Sequence, residues 1–350
     1  MKKYGFLYEK VYDLANIELA HINASKGKTH YSEVKMVDKN PQKHFISIQN
    51  MLKNKTYKNS PYEIITRKTD NGKIREIYKL PYFPDRIIHH AIIQVVGDLW
   101  FKSLIRDTYA SIKGRGIHDG VKRIKKALFD KENTTFCLKM DIKKYYPSVD
   151  NEILKTIIRK NIKDKNLLWL FDEIIDSTKG IPIGNYLSQY FGNLYLSELD
   201  HITKAKTKYY FRYADDIVIL HKSKTVLHQL KDEIEYYLNN NLNLILKENW
   251  QVFPVEKRGI DFLGYVFFHD YTLLRKTIKK RFVKTVNRII KKHNNLTHTE
   301  ILNSIMSYYG WFKYSNCKNL QNKYFNGELA FIVKHTCIKQ NITNPFTKVA

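Results

Sequence analysis

Cysteine is nearly absent from this sequence. Three residues in 350, Cys137, Cys317 and Cys337, lie far apart, and no C-x-x-C occurs. An odd, scattered set excludes a disulfide framework and a cysteine-rich zinc module, and it points to a reducing compartment. No apolar run approaches the ~20 residues of a membrane span. The start, MKKYGFLYEKVYDL, lacks the apolar stretch of a signal peptide. A soluble, cytoplasmic protein without a membrane partner is therefore expected. Pro- or Ser-rich linkers and fixed-period repeats are also missing, so nothing in the composition cuts the chain into separate modules. Acidic residues are outnumbered, with 34 Asp and Glu against 60 Lys and Arg, for a net charge of +26.

What is present is core-forming material. Hydrophobic residues make up 43% and aromatics 13%, which excludes a disordered composition. A chain of 350 residues can bury a sizeable core and divide into two or three lobes. The positive charge runs along the whole chain instead of gathering in a tail. It suits a polyanion held in a groove or on a broad face. A Lys/Asn bias inherited from an AT-rich genome is the other reading.

Residues 1–40 read as polar helix. YEIITRKTDNGKIREIYKL, 62–80, reads as a hairpin turning at Asp70-Asn71-Gly72. Residues 85–105 carry apolar side chains at helical spacing, with His89 and His90 among them as packing residues. A helix is expected over 119–130, and a short strand over 136–142 that ends in Asp141. One helix follows over 151–176, then a loop marked by Gly180, Pro182 and Gly184, and another helix over 188–204. YYFRYADDIVILHK reads as strand–turn–strand. A helix at 225–240, a strand near 242–247 and a hairpin at 259–268 come next, and the rest is helical and very basic. The mixed order predicts an α+β core with helical additions.

Two adjacent acids, Asp215 and Asp216, lie between apolar β-prone residues. Burying both in a strand turn is costly unless a cation compensates, and carboxylates are the hard oxygen donors that magnesium prefers. The alternative is an exposed Asp-Asp in an ordinary turn. Asp141, at the end of FCLKMDI, supplies a third carboxylate. Three such groups on neighbouring strands suit a two-metal phosphoryl-transfer centre, with ions about 3.5–4 Å apart.

From here a family resemblance is legible over roughly residues 60–320. DIKKYYPSVD (141–150), GIPIGNYLSQYFGNLYLSELD (180–200), YADD (213–216), LILKENW (244–250) and FLGY (262–265) resemble, in order, five motifs of bacterial reverse transcriptases. Motifs in the right sequence and context are far more specific than any one alone. YASIKGRGIHDGVKRI (109–124) and SYYGWFKYSNCKNL (307–320) resemble the family's fingers and thumb segments. The resemblance implies a right-hand polymerase: an N-terminal segment and fingers over 1–135, a palm over 136–270 with 151–190 partly fingers, and a basic helical thumb and tail over 271–350.

The same resemblance implies the site. Asp141, Asp215 and Asp216, with the Ile142 carbonyl, would hold two Mg2+ ions, for which Mn2+ could substitute. Tyr146 would exclude a 2′-hydroxyl, with packing beside Tyr145 as its other role. Arg75, assisted by Lys73, would hold incoming phosphates, and Lys247 would approach the triphosphate. Ile183, Gly184 and Gln189 would wall the nucleotide pocket, and Phe262, Leu263, Gly264 and Tyr265 would form the primer grip. Lys113, Arg115, Lys122, Arg123 and Lys125 would meet nucleic-acid phosphates. Tyr308, Tyr309, Trp311 and Tyr314 would mainly pack the thumb. The basic amphipathic stretch 275–293 would follow a duplex rather than a membrane.

One departure narrows the resemblance. Most reverse transcriptases carry PQG where this chain has Pro182-Ile183-Gly184, and Ser-Pro where it has Ser188-Gln189. IPIGNxxSQ resembles the enzymes of diversity-generating retroelements, which copy a template RNA with errors at adenines. The implied partners are template RNA, primer and cDNA product, dNTPs, and a small basic helical accessory protein. An antiphage defence reverse transcriptase is the next reading, followed by a catalytically idle RNA-binding relative. A group II intron maturase ranks last, given Ile183 and no visible C-terminal domains.

Overall fold

The computed structural model describes residues 3–339 apart from 69–71, 73 and 326–327. The expected turn at Asp70-Asn71-Gly72 thus falls mostly outside the described residues. β1 (Glu63–Lys68) and β2 (Ile74–Lys79) flank it as an antiparallel pair in register from Glu63↔Lys79 to Lys68↔Ile74. Helix Ile87–Ser103 carries the apolar spacing read from the sequence, and Ile88, Ile92 and Val96 have no exposed surface.

A four-stranded sheet follows, built from β3 (Phe136–Asp141), β4 (Tyr209–Tyr213), β5 (Asp216–His221) and β6 (Gln251–Pro254) in the order β4-β5-β3-β6. The interior residues of β5, Ile217–Leu220, are buried one after another, as expected for a strand covered on both faces. A second sheet has β7 (Ile260–Phe262), β8 (Tyr265–Phe267) and β9 (Thr272–Leu274), with antiparallel neighbours throughout.

Three expectations are corrected. The helix expected over 151–176 is two helices, Asn151–Asn161 and Lys165–Ile175, because the Asp164 carboxylate caps the second by accepting from the Asn166 and Leu167 amides. The helix expected over 188–204 is also two, Ser188–Tyr195 and Ser197–Lys206, separated at Leu196. No strand forms at 242–247. Asn243 sits at φ +50°, and the segment meets β3's end only at the bridge Ile142↔Leu246, so the sheet's edge is taken by β6 instead.

The chain divides into two compact units. The first contains Met140–Ile217, His228–Trp250 and the N-terminal part through Gly116; the second contains Ile117–Lys139, Val218–Leu227 and the chain from Gln251 onward. The core of the second unit forms where helix Lys276–Lys292 buries Phe282, Val286 and Ile289, leaving its Lys and Arg outside. Phe282 takes edge contacts from Tyr308 and Phe312. No described helix is long and apolar enough to cross a membrane.

Candidate active site

The β4–β5 hairpin is joined by only two residues, Ala214 and Asp215, and Ala214 adopts φ +53°. A non-glycine residue there is strained unless its surroundings hold it. Arg212 does so: its Nη1 donates to the Ala214 carbonyl at 2.9 Å. Arg212 has no exposed surface and makes a bidentate pair with equally buried Asp200, Nε to Oδ1 at 2.7 Å and Nη2 to Oδ2 at 2.6 Å. Nη2 also donates to the Asn193 carbonyl, and the Tyr210 hydroxyl donates to Asp200. Burial works against the guanidinium's charge, but Asp200 outweighs it and keeps Arg212 protonated.

This scaffold presents Asp215 to Asp141. Burial, then the facing Asp141 carboxylate, pushes the Asp215 carboxyl up to about 7, with Lys247 acting in the opposite direction. Asp141 Oδ2 accepts from Lys247 Nζ at 2.5 Å, while Asp141 Oδ1 is buried with no hydrogen-bond partner. Two facing carboxylates and an orphaned buried oxygen form a hard-donor site short of positive charge, which fits a divalent cation. Asp216 begins β5 and is half-buried. Among the described residues no three His, Cys, Asp or Glu side chains converge as a ready-made metal cage. Asp141 and Asp215 face each other, one at the end of β3 and the other in the β4–β5 turn. Ile142 is fully buried at its bridge to Leu246.

Beside the carboxylates sits Tyr146, whose hydroxyl donates to Gln189 Oε1 at 2.9 Å. Burial, then the Asp215 charge, pushes its phenol up to about 12. Its ring also meets Tyr145 edge-on, so the packing role holds alongside. Ile183 is half-buried, and its carbonyl accepts from the Tyr78 amide at 2.7 Å, tying the 180–184 loop to β2. Gly184 has φ +112°, and a Cβ there would fall 2.8 Å from Ile77 Cγ2, so the position needs glycine.

Arg75 is exposed on β2 directly across from Arg67. Opposed residues in an antiparallel pair share a face, so both arginines leave the hairpin on the same side. Lys73 lies outside the described residues. Lys113 is exposed, whereas Arg115 is half-buried and spends Nη1 on the Ile105 carbonyl at 2.9 Å.

The second unit holds the other predicted residues. Phe262, Leu263, Gly264 and Tyr265 form a two-residue turn between β7 and β8, with positive φ at both Leu263 and Gly264. A Cβ on Gly264 would lie 2.5 Å from the Trp311 ring. The Tyr265 hydroxyl donates to the Trp311 carbonyl at 3.1 Å. Exposed Lys122 lies over the Tyr314 ring, Arg123 and Lys125 are half-buried on the same helix, and Tyr314 stacks on His118.

His89 and His90 are packing residues, as read from the sequence. Both are more than nine-tenths buried, and His90 stacks on Tyr186 with ring centroids 3.7 Å apart. Arg67, Ser111, Asn193 and Arg212 were not singled out from the sequence. A hairpin centred on residue 71 already places 67 opposite 75, so Arg67 was legible; the other three depend on long-range packing.

The mixed helices and antiparallel sheet fit a right-hand polymerase fold. The family model described as "Reverse transcriptase (RNA-dependent DNA polymerase)" matches residues 66–267, more than half of the chain. The chain belongs to that family. The group II intron-encoded protein LtrA of Lactococcus lactis subsp. cremoris is 21% identical over 315 residues, covering 68% of this chain and 51% of LtrA. The chain thus spans about half the length of the curated relatives it matches. Among solved structures, apo telomerase from Candida tropicalis matches at TM-score 0.47 and 14% identity, over 61% of this chain and 48% of that one. Telomerase from Candida albicans with a fragment of telomeric RNA matches at TM-score 0.45 and 12% identity, over 83% and 63%.

Proposed function

We propose that the protein is an RNA-directed DNA polymerase that copies a template RNA into cDNA from dNTPs, with Asp141, Asp215 and Asp216 as its metal-holding carboxylates. The carrying observation is the facing pair Asp141 and Asp215, with a buried unpartnered oxygen between a lysine and an acid of raised pKa. That pair lies within the residues the family model matches. Divalent cations, when bound, neutralise the triphosphate and lower the pKa of the primer hydroxyl. Magnesium is the assigned ion, with manganese as substitute. The Ile142 carbonyl would complete the coordination.

The chain's own residues do the positioning. Tyr146 would stand against the sugar and exclude a 2′-hydroxyl by bulk. Arg75 and Lys73 would clamp phosphates, and Arg67 across the register supports a bidentate, two-arginine clamp. Lys247 would leave Asp141 to meet the triphosphate. Ile183, Gly184 and Gln189 would wall the base pair, and Phe262–Tyr265 would hold the primer end. Lys113, Arg115, Lys122 and Arg123 would add phosphate contacts, Arg115 with the donors left over from its bond to Ile105. The fingers would extend through 135, the palm over 136–270 and the thumb from 271.

The finer assignment is a diversity-generating retroelement enzyme working with a small basic helical accessory protein. Ile183 supports it: an aliphatic side chain in place of glutamine removes a polar contact from the pocket wall and relaxes the check on pairing geometry. Sequencing primer-extension products made on an RNA template of all four bases tests both levels. Extension with errors concentrated opposite adenine, reduced by Ile183→Gln, supports the full reading. Faithful extension keeps the polymerase and favours a defence role, and unchanged errors in the variant overturn the fidelity argument.

A further inference from the structure

Tyr146 is held by a helix face that looks built for its ring. Helix Ser188–Tyr195 places Gln189 and Gly192 three residues apart, on one side. Gly192 leaves room for the ring, since a Cβ there would lie 3.3 Å from Tyr146 Cε1. Its carbonyl accepts from the Tyr145 hydroxyl, which fixes the neighbouring ring as well. Gln189 then takes the Tyr146 hydroxyl at 2.9 Å.

The glutamine is itself steadied. Ser111 Oγ reaches the same Oε1 at 3.4 Å, from a backbone position with φ +52°. Asn193, one turn along from Gln189, donates to the Ala110 carbonyl at 2.6 Å and so staples the helix to the Ala110–Ser111 segment. The same residue's carbonyl accepts from Arg212, the side chain that holds the Ala214 turn. One short helix therefore ties the tyrosine, the basic 109–116 segment and the carboxylate hairpin into one hydrogen-bonded frame.

We propose that Gln189 is a positioning residue for sugar selection: its hydrogen bond to Tyr146 sets where the ring stands, and so how strictly a ribonucleotide is refused. A tyrosine free to tilt by a fraction of an ångström yields space for a 2′-hydroxyl. A tethered one does not, because moving it breaks a half-buried hydrogen bond. This rests on the polymerase reading, and it goes further by placing sugar discrimination on a residue that need not touch the nucleotide.

The test compares kcat/KM for a dNTP and the matching rNTP in wild type, Gln189→Met, Tyr146→Phe and the double variant. Methionine keeps the side-chain length and removes the acceptor. Discrimination in Gln189→Met is expected to fall about three- to tenfold, the scale of one neutral hydrogen bond. In the Tyr146→Phe background, Gln189→Met is expected to change the ratio no further, because there is no hydroxyl left to hold. Equal losses for both sugars, or an undiminished effect of Gln189→Met on Tyr146→Phe, overturn the inference and leave the polymerase standing. A wild-type protein that extends with neither nucleotide overturns both.

Discussion

Lys247 is bonded twice to Asp141: its ammonium reaches Asp141 Oδ2 at 2.5 Å, and its backbone amide donates to the Asp141 carbonyl at 2.9 Å. The backbone bond fixes the lysine's place beside the last residue of β3. The side-chain bond gives the carboxylate a cation of the chain's own. A divalent ion held by Asp141 would share that carboxylate's charge with Lys247. Removing the lysine with Lys247→Ala is expected to tighten Mn2+ binding about two- to fivefold, the range of a partly exposed ion pair, while slowing extension. Isothermal titration reads the first effect and single-turnover kinetics the second. Weaker Mn2+ binding would show that Lys247 assists the ion instead of standing in for it.

Arg212 makes a second, sharper prediction. Arg212→Met leaves Asp200 buried with its charge unpaired, which is expected to cost about 3–5 kcal/mol of stability. Arg212→Met combined with Asp200→Leu is expected to recover part of that stability without restoring extension, because nothing then holds the Ala214 carbonyl. Urea midpoints and extension rates measured together separate the two effects. Recovery of activity in the double variant would remove Arg212 from the account of the turn.

Stability should fall on mild acidification. Burial is the main cause that lowers both His89 and His90 to about 3. In the unfolded chain an imidazole takes a proton near pH 6.5. Between those values the unfolded state binds more protons, so stability rises with pH. Each histidine's contribution is fully present above pH 6.5 and is lost as pH falls towards 3, by at most about 1.4 kcal/mol per pH unit. His90→Phe keeps a ring on Tyr186 and is expected to flatten the dependence of the urea midpoint between pH 7 and pH 5. An unchanged slope would contradict it.

Gly264→Ala tests the β7–β8 turn. The added methyl meets the Trp311 ring at 2.5 Å on a backbone at φ +85°. The expected cost is about 1–3 kcal/mol, read as a lower urea midpoint.

Much of this was legible in the sequence for identifiable reasons. Local patterns are written in neighbouring residues: the β1–β2 hairpin, the apolar helix Ile87–Ser103, the amphipathic helix Lys276–Lys292 and the YADD turn all follow from spacing. The helix breaks at Asp164 and Leu196 were hidden because the apolar period runs through them. Asp164 caps the second helix with one carboxylate oxygen, and with the other accepts from the distant Leu7 and Tyr8 amides, a contact no local pattern reveals. The strand expected near 242–247 does not form, because the pairing with β3 falls to Gln251–Pro254, which no local pattern decides. At the site, the approach of Asp141 to Asp215 was expected from the sequence, but nothing local marks Arg212 as the residue that holds the turn.

The most direct test of the central claim is a paired measurement on wild type and Asp215→Asn: RNA-templated primer extension with Mg2+, and the urea midpoint without metal. If Asp141 and Asp215 form a cation site, the amide should abolish extension and also stabilise the metal-free protein, because it removes one of two facing half-buried carboxyls. A variant that still extends the primer, or that loses both activity and stability, would contradict the account.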